Sequence, residues 1–179
     1  GLSVSVRNDD IETVEQTRDR SLDVTVFAGQ QRGSASTSDF SSKALRETVD
    51  AALSIARFTA PDPCSGLPDA ALLATHQQAF SDLDLYHPCL LLVDEAIDLA
   101  RRCEQAAFAV SPEISNSEGT SVSIQEGQFI SANSLGFIGG YPSSRHYLSC
   151  SVIAVKEENI QRDDRYSKAR EIQKIDTPE

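Results

Sequence analysis

The sequence predicts an α+β protein in which antiparallel sheets pack against helices in two subdomains. Three observations predict it. Residues 2–7 and 22–28 alternate apolar and polar side chains with the period of a half-buried strand. Residues 42–58 and 94–110 instead repeat apolar residues at helical spacing. Between the two helices, Pro61, Pro63, Gly66 and Pro68 break all periodicity. The expected division is a sheet-and-helix unit over 1–60, a Pro-rich linker over 61–92 and a second α+β unit over 93–179.

In the first strand Leu2, Val4 and Val6 share one face, with Ser3, Ser5 and Arg7 on the other. Asn8-Asp9-Asp10 is turn chemistry. Residues 11–18 follow as a polar strand, expected at an edge because Glu12, Glu15, Gln16 and Arg18 leave little to bury. The strand 22–28 points Leu22, Val24, Val26 and Ala28 one way. Gly29 to Gly33 is expected to close a hairpin, with Arg32 perched on it as a solvated turn residue. The run 34–38 is all small, so it can lie close under something bulky. Ser41 is the expected N-cap of helix 42–58, whose stripe is Leu45, Val49, Ala52, Leu53 and Ala56. The simplest assembly pairs these four strands in one antiparallel sheet under that helix.

Residues 69–80 are expected to hold a short helix within the linker. Helix 94–110 buries Val93, Ile97, Ala100, Cys103, Ala107 and Val110, with Cys103 read as a small core residue. After Pro112 the expected strands are 113–118, 120–125, 128–134, 145–156 and 159–166, punctuated by Asn116 to Gly119 and Asn133 to Gly136. Gly136, Gly139 and Gly140 suit a bulge or turn, 147–155 suits an interior strand, and 167–175 is expected to start a helix.

Composition narrows function. The 179 residues carry 27 acidic and 16 basic side chains, a net charge of −11, which repels phosphate backbones and disfavours direct nucleic-acid binding. No apolar run approaches the ~20 residues of a membrane span, and no signal segment opens the chain. The cysteines at 64, 89, 103 and 150 form no C-x-x-C pair, so reduced thiols in a cytoplasmic protein are the plain expectation. The chain starts at Gly1 and has no Met, which suggests a piece of a longer protein.

No catalytic constellation is visible. His76, His87 and His146 lie in no helical metal pair. His87 and Cys89 are close in sequence and Cys64 could join them around a metal, but a loop histidine and packed thiols are the plainer reading. His146 reads as a strand residue rather than a base. No G-x-S-x-G elbow, phosphate loop or dinucleotide fingerprint is present. No catalytic, metal or cofactor-binding residue is therefore assigned.

The opening GLSVSVRNDDIETVEQTRDRSLDVTVFAGQQRGSASTSDFS, the run ALRETVDAALSIARFTAPDPCSGLPD, and the later DEAIDLARRCEQAA, SNSEG and SANSLGFIGGYPSSRHYLSCSVIA resemble the N-terminal region of the PmbA/TldD family. The likeness runs along essentially the whole chain, and the turn with Gly29, Arg32 and Gly33 looks more like the PmbA (TldE) branch than the TldD branch. The resemblance implies a subunit of a heteromeric cytoplasmic metalloprotease, partnered by a TldD-type paralogue or by self-association, that degrades or processes unfolded peptides, including a microcin precursor and an antitoxin. It places the zinc on a TldD-type paralogue, at an HExxxH helix with a further Cys. This sequence has no HExxxH, so no residue is carried over, and the region is expected not to be catalytic by itself. The rival expectation is a non-enzymatic interaction protein that modulates DNA gyrase or its inhibitors. In either case the strands 11–18 and 34–38 are candidate edges for pairing with an extended peptide.

Overall fold

A computed structural model describes residues 1–177, and of His76 and Gln77 the backbone only. The chain runs β1 (Leu2–Arg7), β2 (Asp10–Gln16), β3 (Leu22–Ala28), β4 (Gln31–Thr37), α1 (Ser42–Phe58), the short helix α2 (His76–Ala79), α3 (Val93–Ala109), β5 (Ile114–Ala132), β6 (Ile138–Lys156) and β7 (Asn159–Ala169). Single 3₁₀ turns cover Ala70–Leu72 and Ile172–Lys174. By contact the chain forms two units. One comprises Gly1–Thr17, Gln77–Ser131 and Gly139–Glu179, the other Arg18–His76 and Ala132–Ile138. Among the described residues no helix is long and apolar enough to cross a membrane.

The first unit is a five-stranded sheet in the order β2-β1-β5-β6-β7 with α3 against one face. This corrects the expected four-stranded sheet. The alternation in β1 is as read, but its second neighbour is β5, in the register Leu2↔Ile124, Val4↔Val122 and Val6↔Thr120. A strand's period shows which side chains face the core and says nothing about which distant strand fills its open side. Val4, Val6, Val122 and Leu148 meet Ala96, Ile97, Leu99 and Ala100 of α3, with Ile175 closing the cluster. Each large aliphatic side chain buried there contributes roughly 1.5–3 kcal/mol.

The three short strands expected over 113–134 are one continuous strand, β5. Asn116 to Gly119 does not end it but bulges it. Ser117 and Thr120 are both fully buried, so alternation slips by one residue between them. Gly119 sits at φ +116°, and its N–H donates to the Ser117 hydroxyl at 2.8 Å. The second punctuation is a true turn: Asn133 Oδ1 accepts from the Leu135 and Phe137 N–H groups, and Gly136 lies at φ +89°. Residues 167–169 continue β7, so the helix expected at 167–175 reduces to the 3₁₀ turn. In α3 the buried face includes Glu104, which is 1% exposed, whereas Val110 is 78% exposed. The helix has turned past the sheet by its last turn.

The second unit pairs β3 with β4 and covers them with α1. The Ser41 hydroxyl caps α1 as expected, accepting from the Ala44 N–H at 3.3 Å. The loop expected over Gly29 to Gly33 is tighter. Gly29 and Gln30 alone turn the chain, and Gly33 is already in β4 opposite Val26. Arg32 is likewise an exposed strand residue opposite Phe27, not a loop tip. The buried stripe of α1 is Thr48, Ala52 and Ala56, and Val49 is 45% exposed. The helix lays its smallest side chains on the strand because Gly33 lets the two backbones nearly touch.

Candidate functional site

The edge of the first unit's sheet is the feature best placed to meet a partner. β2 is exposed along its whole length and pairs on one side with β1. Which of its backbone groups are open follows from the ladder. Gly1 and Thr17 exchange both main-chain hydrogen bonds, 2.9 Å from the Thr17 N–H and 2.7 Å from the terminal amine. In an antiparallel pair, bonded and non-bonded pairs alternate. Ser3 with Glu15 and Ser5 with Thr13 are therefore bonded pairs, while Val14 and Gln16 turn their N–H and C=O outward. A register shift between Ser5 and Val6 leaves Glu12 as the bulged residue at the far end. β4, the other candidate edge, lies directly beneath α1.

Of the histidines, His76 has a side chain outside the described residues. His87 sits in a segment strapped to β6. Its Nε2 is 3.1 Å from the Asp84 carbonyl, and its Nδ1 is 3.5 Å from a Glu171 carboxylate oxygen. Glu171 accepts from Lys174 Nζ at 2.9 Å, and that ammonium, ahead of His87, holds the carboxyl below its ordinary range. His146 is fully buried, with Nε2 3.3 Å from the His87 carbonyl. That contact fits an Nε2–H tautomer and leaves Nδ1 without a partner among the described residues.

The strap converges on Ser144, which is 1% exposed. Its hydroxyl donates to the Arg170 carbonyl at 2.8 Å and accepts from the His87 N–H at 2.9 Å. Its main-chain N–H donates to the Leu85 carbonyl, and its carbonyl accepts from Arg170 Nη1, both at 2.8 Å. Ser144→Ala leaves the His87 amide and the Arg170 carbonyl unpaired, at a cost of about 2 kcal/mol. Faster exchange of the His87 amide, with β1 amides unchanged, is the measurement that checks it.

The residues weighed as possible metal ligands have other surroundings. Cys64 is exposed, the Cys89 N–H donates to Glu126 at 3.1 Å, and His87 faces Asp84 and Glu171. Among the described residues no three of His, Cys, Asp and Glu are arranged to hold a metal ion. No step is derived through a zinc ion. Sequence reasoning missed two features. Glu104 falls outside the apolar stripe read for its helix, and Cys103 and Cys150 carry no spacing signal. Only the fold places that carboxylate inside and those thiols side by side.

Two family models match the chain: PmbA/TldA metallopeptidase domain 1 over residues 1–56, and the PmbA/TldA metallopeptidase central domain over residues 86–175. The chain is 45% identical over 179 residues to Metalloprotease PmbA of Escherichia coli O157:H7, covering 100% of this chain and 39% of that protein. It is 45% identical over 178 residues to the Metalloprotease PmbA homolog of Haemophilus influenzae, covering 99% of this chain and 39% of that one. The chain thus spans about two fifths of the length of these relatives. A crystal structure from Bacteroides thetaiotaomicron, described as a candidate modulator of DNA gyrase, superposes with a TM-score of 0.86 at 22% identity. That match covers 98% of this chain and 40% of the other and speaks for the fold. The chain belongs to the PmbA/TldA metallopeptidase family, also written PmbA/TldD, and carries its first domain and its central domain.

Proposed function

We propose that the chain is the N-terminal part of a PmbA/TldE-type subunit in a heteromeric cytoplasmic metalloprotease, whose zinc is carried by a TldD-type partner subunit. The observation that carries this reading is the 45% identity along the whole chain to proteins named metalloprotease PmbA. The proposed substrates are unfolded peptides, as in microcin maturation and antitoxin degradation. This region supplies the wall that receives them rather than the reacting groups.

The open edge of β2 supports that role. An extended peptide adds to a free edge through main-chain hydrogen bonds, which accept almost any sequence. Val14→Pro and Gln16→Pro each delete one outward donor without removing a ladder bond to β1. Each is expected to slow peptide cleavage by the assembled complex about three- to tenfold, the worth of one main-chain hydrogen bond, with stability nearly unchanged. Glu15→Pro, which removes an inward donor, is expected to destabilise the sheet instead. Equal cleavage by all three proline variants would remove the edge from the mechanism.

The reading as a whole is tested by peptide cleavage with the TldD-type partner, alone and with the full-length chain, with and without a chelator. Cleavage that needs both chains and stops with chelator supports it. Cleavage by the partner alone, unchanged by this chain, favours the second reading, an interaction protein acting on DNA gyrase. The net charge of −11 suits contact with a DNA-binding enzyme without contact to DNA.

A further inference from the structure

Cys103 and Cys150 reach one place from different elements. Cys103 lies on α3 and packs against the core. Cys150 lies on β6, two residues beyond Leu148, so both point to the face that α3 covers. Both line a cavity of about 320 Å³ between the C-terminal half of α3 and strands β6 and β7, walled mainly by Ala107, Val110, Leu148 and Tyr166. Both are partly buried and neither is in a disulfide. Their thiols are close enough to shift each other's ionisation.

Two neighbouring thiols ionise unequally, because the one that keeps its proton stabilises a thiolate on the other. The neighbouring Cys103 thiol pulls Cys150 down to about 7, against the opposing effect of burial. Cys150, then burial, pushes Cys103 well above the ordinary thiol range. Thr120 reinforces the asymmetry. Its side chain is fully buried, its hydroxyl has no hydrogen-bond partner among the described residues, and its presence lowers the Cys150 thiol further. Of the charged groups around the pair, Glu104 disfavours the thiolate, while Arg165, opposite Cys150 in the β6–β7 register, and Asp176 line the cavity.

We propose that Cys103 and Cys150 form a paired-thiol oxidation site that takes hydroperoxides and closes to an intramolecular disulfide, fastening α3 to β6. The Cys150 thiolate attacks one peroxide oxygen, and the O–O bond breaks. The departing hydroxide keeps the bonding pair and takes a proton from solvent. Cys150 is then a sulfenic acid, oxidised by two electrons. Cys103 gives up its proton, its sulfur attacks the sulfenic sulfur, the S–O bond breaks and water leaves. Two thiols are oxidised, and one hydrogen peroxide becomes two waters.

The test treats the reduced full-length chain with hydrogen peroxide and maps its peptides without reduction. The expected product is a Cys103–Cys150 cross-link. Cys103→Ser is expected to leave Cys150 as a sulfenic acid that dimedone traps, and Cys150→Ser to give no cross-link at Cys103. A second measurement follows alkylation of Cys150 by iodoacetamide against pH. The midpoint is expected near pH 7 in the native chain. In Cys103→Ala it should rise by at least about one pH unit toward the usual thiol value of about 8.5, and by less in Cys103→Ser, which keeps a donor. A cross-link through Cys64 or Cys89 instead, or a Cys150 midpoint unmoved by Cys103→Ala, would overturn the proposal.

Discussion

Glu104→Ala is expected to cost the full-length chain about 3 kcal/mol, the loss of two charge-assisted hydrogen bonds to main-chain donors in an exposed turn. The Glu104 carboxylate accepts from the Asn8 N–H at 3.0 Å and from the Asp9 N–H at 2.8 Å, and its side chain is out of contact with water. Those two residues turn the chain between β1 and β2 at φ 50° and 68°, the left-handed pair a tight hairpin requires and non-glycine residues resist. Arg101 Nε donates to the Asp9 carbonyl at 3.0 Å, and the Gln105 amide reaches the Asp9 carboxylate at 3.3 Å. One turn of α3 thus clamps the hairpin whose second strand is the open edge. Glu104→Gln keeps one acceptor oxygen but turns an N–H₂ toward a donor, so about 2 kcal/mol is expected. Urea unfolding gives the magnitudes, and amide exchange at Asn8 and Asp9 locates them. A loss below about 1 kcal/mol in Glu104→Ala would mean water replaces the carboxylate at little cost.

Gly33→Leu is expected to leave the unit formed by β3, β4 and α1 without a stable fold. Even the Cβ of alanine would stand 2.1 Å from the Ala52 carbonyl oxygen and 2.4 Å from the Ala56 nitrogen. These are backbone atoms, so no rotamer change relieves the clash, and α1 must lift off the strand. Gly33→Ala should cost about 3 kcal/mol, the upper end of ordinary overpacking, and Gly33→Leu more. Trimming α1 with Ala56→Gly should not rescue either variant, since the obstruction is not a side chain. Hydrogen exchange separates this from global unfolding. Protection should vanish over Val24 to Thr37 and along α1, while β1 and β5 amides keep theirs. Retained protection in α1 would show that the helix slides rather than detaches.

The sequence by itself determined what is local. Alternation placed β1, β3 and the edge character of β2, and helical spacing with Ser41 placed α1, because side-chain periods and caps are set within a few residues. Likeness along the chain determined the family. Tertiary structure alone decided what pairs with what. β1 joins β5 because Leu2, Val4 and Val6 find their complement around Val122, more than a hundred residues on, and periodicity carries no address. Asn116 to Gly119 reads as a break yet forms a bulge, because the strand continues in its sheet beyond it. Val49 lost its expected burial to Thr48 because Gly33 admits the helix so closely that its small face fits best. Glu104 and the Cys103–Cys150 pair owe their chemistry to neighbours on other elements, and burial and proximity are properties of the assembled fold, not of any stretch of chain.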